Sequence, residues 1–322
     1  MKCINKRCIC LFINFILLVS LCGCGSDTTP LAYERPSSLT SLSKDQVARS
    51  FAQDLCVING DYKEGTDVSM EESSAAGLFD VTNNKVLYSQ NIHERLNPAS
   101  LTKIMTALVA IKYGNTDDMI VCSENVKITE SGATVCGLKA GDKLTLNQAL
   151  HALLINSAND AAVAIAEHIG GSVEGFAAMM NEEAVLLGAT NSHFVNPHGL
   201  TANEHYVTAY DMYLIMNAAM QYELFNEIIH MNEYSTVYYS SDDKEKEMSF
   251  RSTNLFFQGD YSAPDKITVI GGKTGTTNAA GSCLVLLTKD TGGNPYISVI
   301  LRASKRTILY EEMIDLLSEI NN

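Results

Sequence analysis

The chain has 322 residues, 46% of them hydrophobic, and a formal net charge of −14. That length supports one large core or two modest ones. The acidic balance repels phosphate backbones, which excludes nucleic acid as a natural partner.

At the N-terminus, Lys2, Lys6 and Arg7 precede an apolar run from Ile9 to Cys22. The run is short for a membrane span and Asn14 interrupts it, so it reads as the apolar region of a signal peptide over residues 1–23. Leu21-Cys22-Gly23-Cys24 resembles a bacterial lipobox. The resemblance implies cleavage before Cys24 and a diacylglycerol on its thiol. Each buried acyl methylene contributes about 0.8 kcal/mol, so a multi-chain lipid is a firm anchor on the extracytoplasmic face of a cell membrane. Residues 24–45, rich in Ser, Thr and Pro, read as a tether.

Residues 47–59 are compatible with a helix. Ala75 to Asp80 and Lys85 to Ser89 form short apolar runs joined by Thr82-Asn83-Asn84, a hairpin pattern. From Ser100 to Tyr113 the period turns helical, with Pro98 as an entry signal. Its apolar residues cover most faces, which predicts a buried helix. Helices follow over 146–169, 173–187 and 208–219. Residues 232–262 are polar and suggest a hairpin with an exposed turn. Ile267 to Ile270, Ser282 to Leu287 and Tyr296 to Leu301 alternate with Gly-rich turns and read as adjacent strands. Tyr310 to Ile320 closes the chain as an amphipathic helix. Strands at both ends with helices between them indicate an α+β unit.

Five of the nine cysteines lie in the leader, and Cys56, Cys122, Cys136 and Cys283 remain. No Cys-x-x-Cys or Cys/His pairing points to zinc. Cys122 and Cys136 are near enough in sequence for a bridge, and export permits one. Cys283 sits in an apolar run as a small core residue.

Three Ser-x-x-Lys patterns occur, at Ser41/Lys44, Ser100/Lys103 and Ser241/Lys244. The first lies in the tether and the last in a charge-rich stretch, where neither water exclusion nor fixed geometry is available. Ser100 stands at the mouth of the buried helix, and Lys103, one turn on, projects to the same face. Burial disfavours the ammonium form and lowers its pKa from about 10.4. A neutral Lys103 amine can then take the Ser100 proton, a nucleophile activated by lysine. Ser-x-Asn occurs at Ser89, Ser123, Ser157 and Ser252. Of these, Ser157-Ala158-Asn159 follows an apolar helix end. There Ser157 can relay a proton to a leaving amine and Asn159 can bind a substrate amide, unless Ser157 is simply a helix cap. Lys-Thr-Gly occurs once, at Lys273-Thr274-Gly275, with glycines that admit a close ligand backbone and head a strand. Lys273 supplies positive charge that keeps Lys103 neutral and attracts a carboxylate, Thr274 can hydrogen-bond that carboxylate, and the N–H groups of Thr276 and Ser100 can form an oxyanion hole. In this order the three motifs match penicillin-binding proteins and serine β-lactamases.

The chain resembles the low-molecular-weight D-alanyl-D-alanine carboxypeptidases over roughly residues 47–320. The resemblance rests on Asn97-Pro-Ala-Ser100-Leu-Thr-Lys103-Ile-Met-Thr-Ala, Leu153-Leu-Ile-Asn-Ser157-Ala-Asn159-Asp-Ala, Phe194-Val-Asn-Pro-His-Gly-Leu200, Val207-Thr-Ala-Tyr-Asp211 and Gly271-Gly-Lys273-Thr-Gly-Thr-Thr-Asn-Ala-Ala-Gly281. It implies a β-lactamase/transpeptidase-like fold over residues 46–322, a five-stranded antiparallel sheet flanked by helices with a helical lobe across a cleft. It also implies a serine carboxypeptidase that removes the terminal D-alanine of peptidoglycan stem pentapeptides through an acyl-enzyme on Ser100. On the same resemblance, Asn159, Lys273, Thr274, Gly275 and Thr276 bind substrate, β-lactams acylate Ser100, and no metal or organic cofactor takes part.

One departure concerns carboxylate recognition. Many relatives carry an arginine just before the aromatic of the last helix, where Leu309 precedes Tyr310 here; Arg302, Lys305 and Arg306 are the candidates to compensate. Three alternatives stay open. A class A β-lactamase needs a glutamate-held water, and His193 to Leu200 has no carboxylate. The others are a DD-endopeptidase acting on cross-links and a non-catalytic wall-binding protein.

Overall fold

The computed structural model describes residues 52–321 apart from 64 and 67. The expected signal peptide, tether and Cys24 lie outside the described residues. Residues 52–59 form turns and bends, so the described part of the expected 47–59 helix is not helical.

A hairpin of β1 (Ser73–Asp80) and β2 (Lys85–Gln90) opens the fold. Three long strands close it: β7 (Thr268–Thr277), β8 (Gly281–Lys289) and β9 (Pro295–Ala303). Together they make a five-stranded antiparallel sheet in the order β2-β1-β9-β8-β7. The near-continuous apolar run of β8 has a physical reason, because its side chains alternate between two cores. Leu284 and Leu286 face one core with Leu309, Tyr310, Met313, Leu316 and Leu317, while Cys283, Val285 and Leu287 face the larger helical one. Cys283 is thus a fully buried packing residue, as its sequence context implied.

The helical lobe begins with a 3₁₀ turn, Ala99–Leu101, that leads into α1 (Thr102–Tyr113). Every residue of α1 from Thr102 to Ala110 is buried, as expected of a helix that is apolar on most faces. Next come α2 (Leu146–Leu154), α3 (Asn159–Gly170), α4 (Val173–Leu187), α5 (Ala209–Ala219) and α6 (Glu223–His230). A capping box of Thr145 and Gln148 starts α2. Left-handed Gly171 and Gly188 end α3 and α4.

A second, smaller sheet has the order β3-β4-β5-β6. It joins two three-residue strands, β3 (Met119–Val121) and β4 (Lys143–Thr145), to the long hairpin of β5 (Glu233–Tyr239) and β6 (Glu245–Arg251). The short strands carry too few residues to show an alternation, and the sequence reading lacks them. The 232–262 segment is the expected hairpin, extended by a short helix, α7 (Leu255–Gln258).

Two boundaries differ from the sequence reading. The last helix, α8, spans Arg306–Ser318 and begins four residues before Tyr310. Its first turn is polar on the exposed side, which hides the start from a hydrophobic pattern. The second difference concerns the Lys-Thr-Gly segment. It does not head its own strand. It is the second half of β7, which runs on through a bulge between Val269 and Gly271. Among the described residues, no helix is long and apolar enough to cross a membrane.

Candidate active site

Ser100 sits in the 3₁₀ turn at the entrance to α1. The residue before it, Ala99, has φ of +48°, a left-handed conformation that costs an alanine about 1–2 kcal/mol. Two glycines admit neighbouring backbone to this turn. A Cβ on Gly199 would lie 1.8 Å from the Ala99 carbonyl oxygen, and one on Gly275 would lie 2.9 Å from the Ser100 nitrogen. The Lys-Thr-Gly strand therefore passes directly beside the Ser100 N–H.

Lys103 is fully buried, and its Nζ lies 2.9 Å from Ser100 Oγ, 2.6 Å from Asn159 Oδ1 and 2.6 Å from the His198 carbonyl oxygen. Burial pushes its pKa well below the ordinary lysine value, and the neighbouring Lys273 lowers it further, against an opposing pull from Asp160. Hydrogen counting then orients the group. A neutral amine has two N–H donors and one lone pair. Asn159 Oδ1 and the His198 carbonyl can only accept, so they take both hydrogens. The lone pair is left facing the Ser100 hydroxyl, which must be the donor in that contact. This is the arrangement a general base requires.

Lys273 is also buried, and desolvation brings its pKa to about 7. Asp160, next to Asn159, is buried as well. It accepts from the backbone N–H groups of Cys136, Gly137 and Leu138 and so secures the loop whose Thr134 carbonyl receives the Asn159 N–H.

Ser157 lies between α2 and α3 with φ of +64°. It is not a helix cap, because the residue preceding α3 is Ala158, without a side-chain cap. Its side chain instead lines a cleft of about 330 Å³ shared with Ser100, Thr274, Gly275 and Thr276. Of the sequence-predicted site residues, Ser100, Lys103 and Asn159 are in direct contact. Ser157, Thr274, Gly275 and Thr276 share the cleft with Ser100, and Lys273 acts on Lys103 through its charge. Cys122 and Cys136 are free thiols and form no bridge. Ser241 is exposed at the β5–β6 turn, and Lys244 pairs there with Asp242.

The cleft also holds residues the sequence reading passed over. Ser252, set aside among the Ser-x-Asn copies, lines it together with Arg251, Thr253 and Gln258. Thr253 Oγ1 is 2.6 Å from Thr274 Oγ1. Leu309 and Tyr310 line the cleft, and of the three cations considered as compensation only Arg306 does so. Arg306 Nη2 donates to the Thr253 carbonyl at 3.1 Å. Among the described residues no Asp or Glu lines the cleft, although the chain holds 37 of them. The cleft is therefore positive within an acidic molecule, a field suited to an anionic peptide end. The His198 carbonyl was also missed as a ligand of Lys103. The Phe194–Leu200 motif is its signal in sequence, but a carbonyl belongs to every residue type and cannot be singled out. Among the described residues, no cluster of three His, Cys, Asp or Glu forms a metal site.

Comparison with known proteins assigns the chain to a family. Residues 63–305 match the S11 peptidase family, D-alanyl-D-alanine carboxypeptidase. The chain belongs to that family. It is 35% identical over 265 residues to the D-alanyl-D-alanine carboxypeptidase DacF of Bacillus subtilis, covering 79% of this chain and 64% of that protein. It is 34% identical to DacC of Escherichia coli over 75% of this chain and 59% of that protein. The chain thus spans about three-fifths of the length of these curated relatives. The crystal structure of the Streptomyces K15 DD-transpeptidase superposes with a TM-score of 0.72 at 25% identity, covering 79% of this chain and 98% of that one. The five-stranded sheet with its helical lobe is the fold the resemblance implied.

Proposed function

We propose that the chain is a serine-type D-alanyl-D-alanine carboxypeptidase acting on peptidoglycan stem pentapeptides. The observation that carries this reading is the buried Lys103 amine, 2.9 Å from Ser100 Oγ and 2.6 Å from each of two groups that can only accept, Asn159 Oδ1 and the His198 carbonyl.

Lys103 takes the Ser100 proton as Oγ attacks the carbonyl between the two terminal D-alanines. The N–H groups of Ser100 and Thr276 receive the developing oxyanion, whose stabilisation by one such donor is worth about 3–4 kcal/mol in comparable sites. The C–N bond then breaks as Ser157 relays the proton taken up by Lys103 to the departing D-alanine amine, which leaves Ser157 neutral and Lys103 free to act again. Water hydrolyses the Ser100 ester with Lys103 again as base, which returns the hydroxyl. Asn159 has its carbonyl oxygen occupied by Lys103, so its Nδ2 is the group that meets the substrate carbonyl. Thr274 and Arg306 hold the terminal carboxylate, with Lys273 behind them. Penicillins acylate the same serine.

The lipobox resemblance supports export, a lipid on Cys24 and anchorage of the enzyme at the outer face of the cell membrane. A DD-endopeptidase is the second reading. It is supported by a D-alanyl-D-alanine endopeptidase of Escherichia coli that is 30% identical over 223 residues, 67% of each chain.

Mass spectrometry of a pentapeptide digest tests the main reading directly. The expected product is the tetrapeptide plus free D-alanine. Cleavage of cross-linked muropeptides without attack on the pentapeptide would establish the endopeptidase instead.

A further inference from the structure

The loop between α4 and α5 grips the nucleophile turn by more than its backbone. His205, on this loop, is 2% exposed. Its Nδ1 lies 3.1 Å from the Val195 nitrogen and its Nε2 lies 2.9 Å from Thr102 Oγ1. Thr102 Oγ1 in turn is 2.9 Å from the Ala99 carbonyl oxygen.

The direction of this chain follows from its two ends. A backbone N–H can only donate, so Nδ1 accepts and carries no proton. A neutral ring then has its proton on Nε2, which donates to Thr102 Oγ1. The hydroxyl hydrogen of Thr102 is left for the Ala99 carbonyl, which can only accept. Burial keeps the ring neutral, its pKa being near 4. The imidazole is further fixed by an edge contact with Phe194, and the His205 carbonyl accepts from Asn97 Nδ2 at 3.0 Å.

The relay ends on the one carbonyl whose orientation sets Ser100. Ala99 holds φ of +48° directly before the nucleophile, with Gly199 packed against its oxygen. A left-handed alanine persists only where its surroundings over-determine it. Three other contacts from the same loop reach α1 or the turn before it. They are Thr106 Oγ1 to the Pro197 carbonyl, Lys103 Nζ to the His198 carbonyl, and the close approach of Gly199. Of the four, only the His205 contact is a side-chain proton relay that terminates on the turn itself.

We propose that His205 is a positioning residue for Ser100, holding the Ala99–Ser100 turn in its reactive conformation through the Val195–His205–Thr102–Ala99 hydrogen-bond chain. The proposal rests on Ser100 as the nucleophile and extends to a residue outside the three motifs.

The test is acylation by benzylpenicillin, resolved into a binding constant and an acylation rate, on the wild type and four variants. His205→Phe keeps the ring volume and removes both bonds. Thr102→Val removes only the hydroxyl. Each is expected to slow acylation about 10- to 100-fold, because small misplacements of a reacting atom cost that much, while the binding constant holds within about twofold. Since both break one chain, the double variant should be no slower than the worse single one. His205→Gln, which retains an N–H toward Thr102, should recover most of the rate. Nitrogen NMR of the wild type should show His205 as the Nε2–H tautomer at neutral pH. Wild-type acylation rates in His205→Phe, multiplying effects in the double variant, or an Nδ1–H ring would each overturn the proposal. A wild type that takes penicillin but releases no D-alanine would instead sink the carboxypeptidase reading and leave the variant comparison interpretable.

Discussion

The two walls of the cleft are built on opposite principles. On the helical side, Lys103 has no solvent exposure and every one of its contacts is with a buried or partly buried group. On the strand side, Arg251 and Arg306 are exposed, and Thr274 and Thr276 open onto solvent. The contrast teaches where each kind of chemistry must be placed. A lysine becomes a base only when water is excluded, because hydration would restore its charge. A carboxylate-binding arginine needs access for an incoming peptide, and its charge survives exposure. Lys273 stands between the two regimes, buried like Lys103 but held near pH 7.

The helical wall should fail completely when its nucleophile is removed. Ser100→Ala is expected to abolish labelling by fluorescent penicillin and to reduce D-alanine release to background, with an unchanged circular dichroism spectrum. Residual covalent labelling of that variant would refute Ser100 as the nucleophile. Loss of the base is a smaller blow. Lys103→Met should lower the acylation rate by about 10²–10⁴, the usual worth of positioned proton transfer. If stopped-flow acylation slows less than tenfold, the proton goes elsewhere and the distinction between the walls collapses.

The helical wall was also the more legible in sequence. Ser100 and Lys103 could be separated from the Ser41 and Ser241 copies because a buried amphiphile at a helix entrance is visible as a pattern. The strand wall was less so. Its Lys-Thr-Gly occurs once and is distinctive, but in sequence Gly271-Gly272 head a new strand, whereas β7 runs through them around a bulge. Ser252, Thr253 and Arg306 come from the end of β6 and the start of α8 and converge only through tertiary packing. Likewise, Leu309 announced a missing charge, but only the fold distinguishes Arg306, inside the cleft, from Arg302. The latter turns its backbone N–H to Cys283 Sγ with φ of +58°.

Arg306 therefore offers the sharpest probe of the strand wall. Arg306→Gln should raise KM for a pentapeptide with a free C-terminus by about 10- to 100-fold, the worth of one charge-assisted pair, and leave kcat nearly unchanged. The same peptide with a C-terminal amide should be indifferent to the substitution. Arg302→Gln serves as the control and should alter neither substrate. An equal effect on acid and amide would mean that Arg306 does not read the carboxylate.

The smallest expected effect lies at the junction of the walls. Lys273 is protonated below about pH 7 and neutral above it, because burial has lowered its pKa from the ordinary lysine value. In the protonated form it suppresses protonation of Lys103 and, on the proposed mechanism, attracts the substrate carboxylate. Above pH 7 both influences fade. The first loss is silent, since rising pH itself favours the neutral Lys103 amine, so kcat should hold. The second is not, and KM for the acid substrate should climb by a few-fold between pH 6.5 and 8.5, with Arg306 limiting the rise. In Arg306→Gln the climb should steepen, and in Lys273→Gln KM should start high and show no break near 7. A break that survived in Lys273→Gln would assign the titration to another group. The buried cation would then serve the base alone, and the two walls would share no residue.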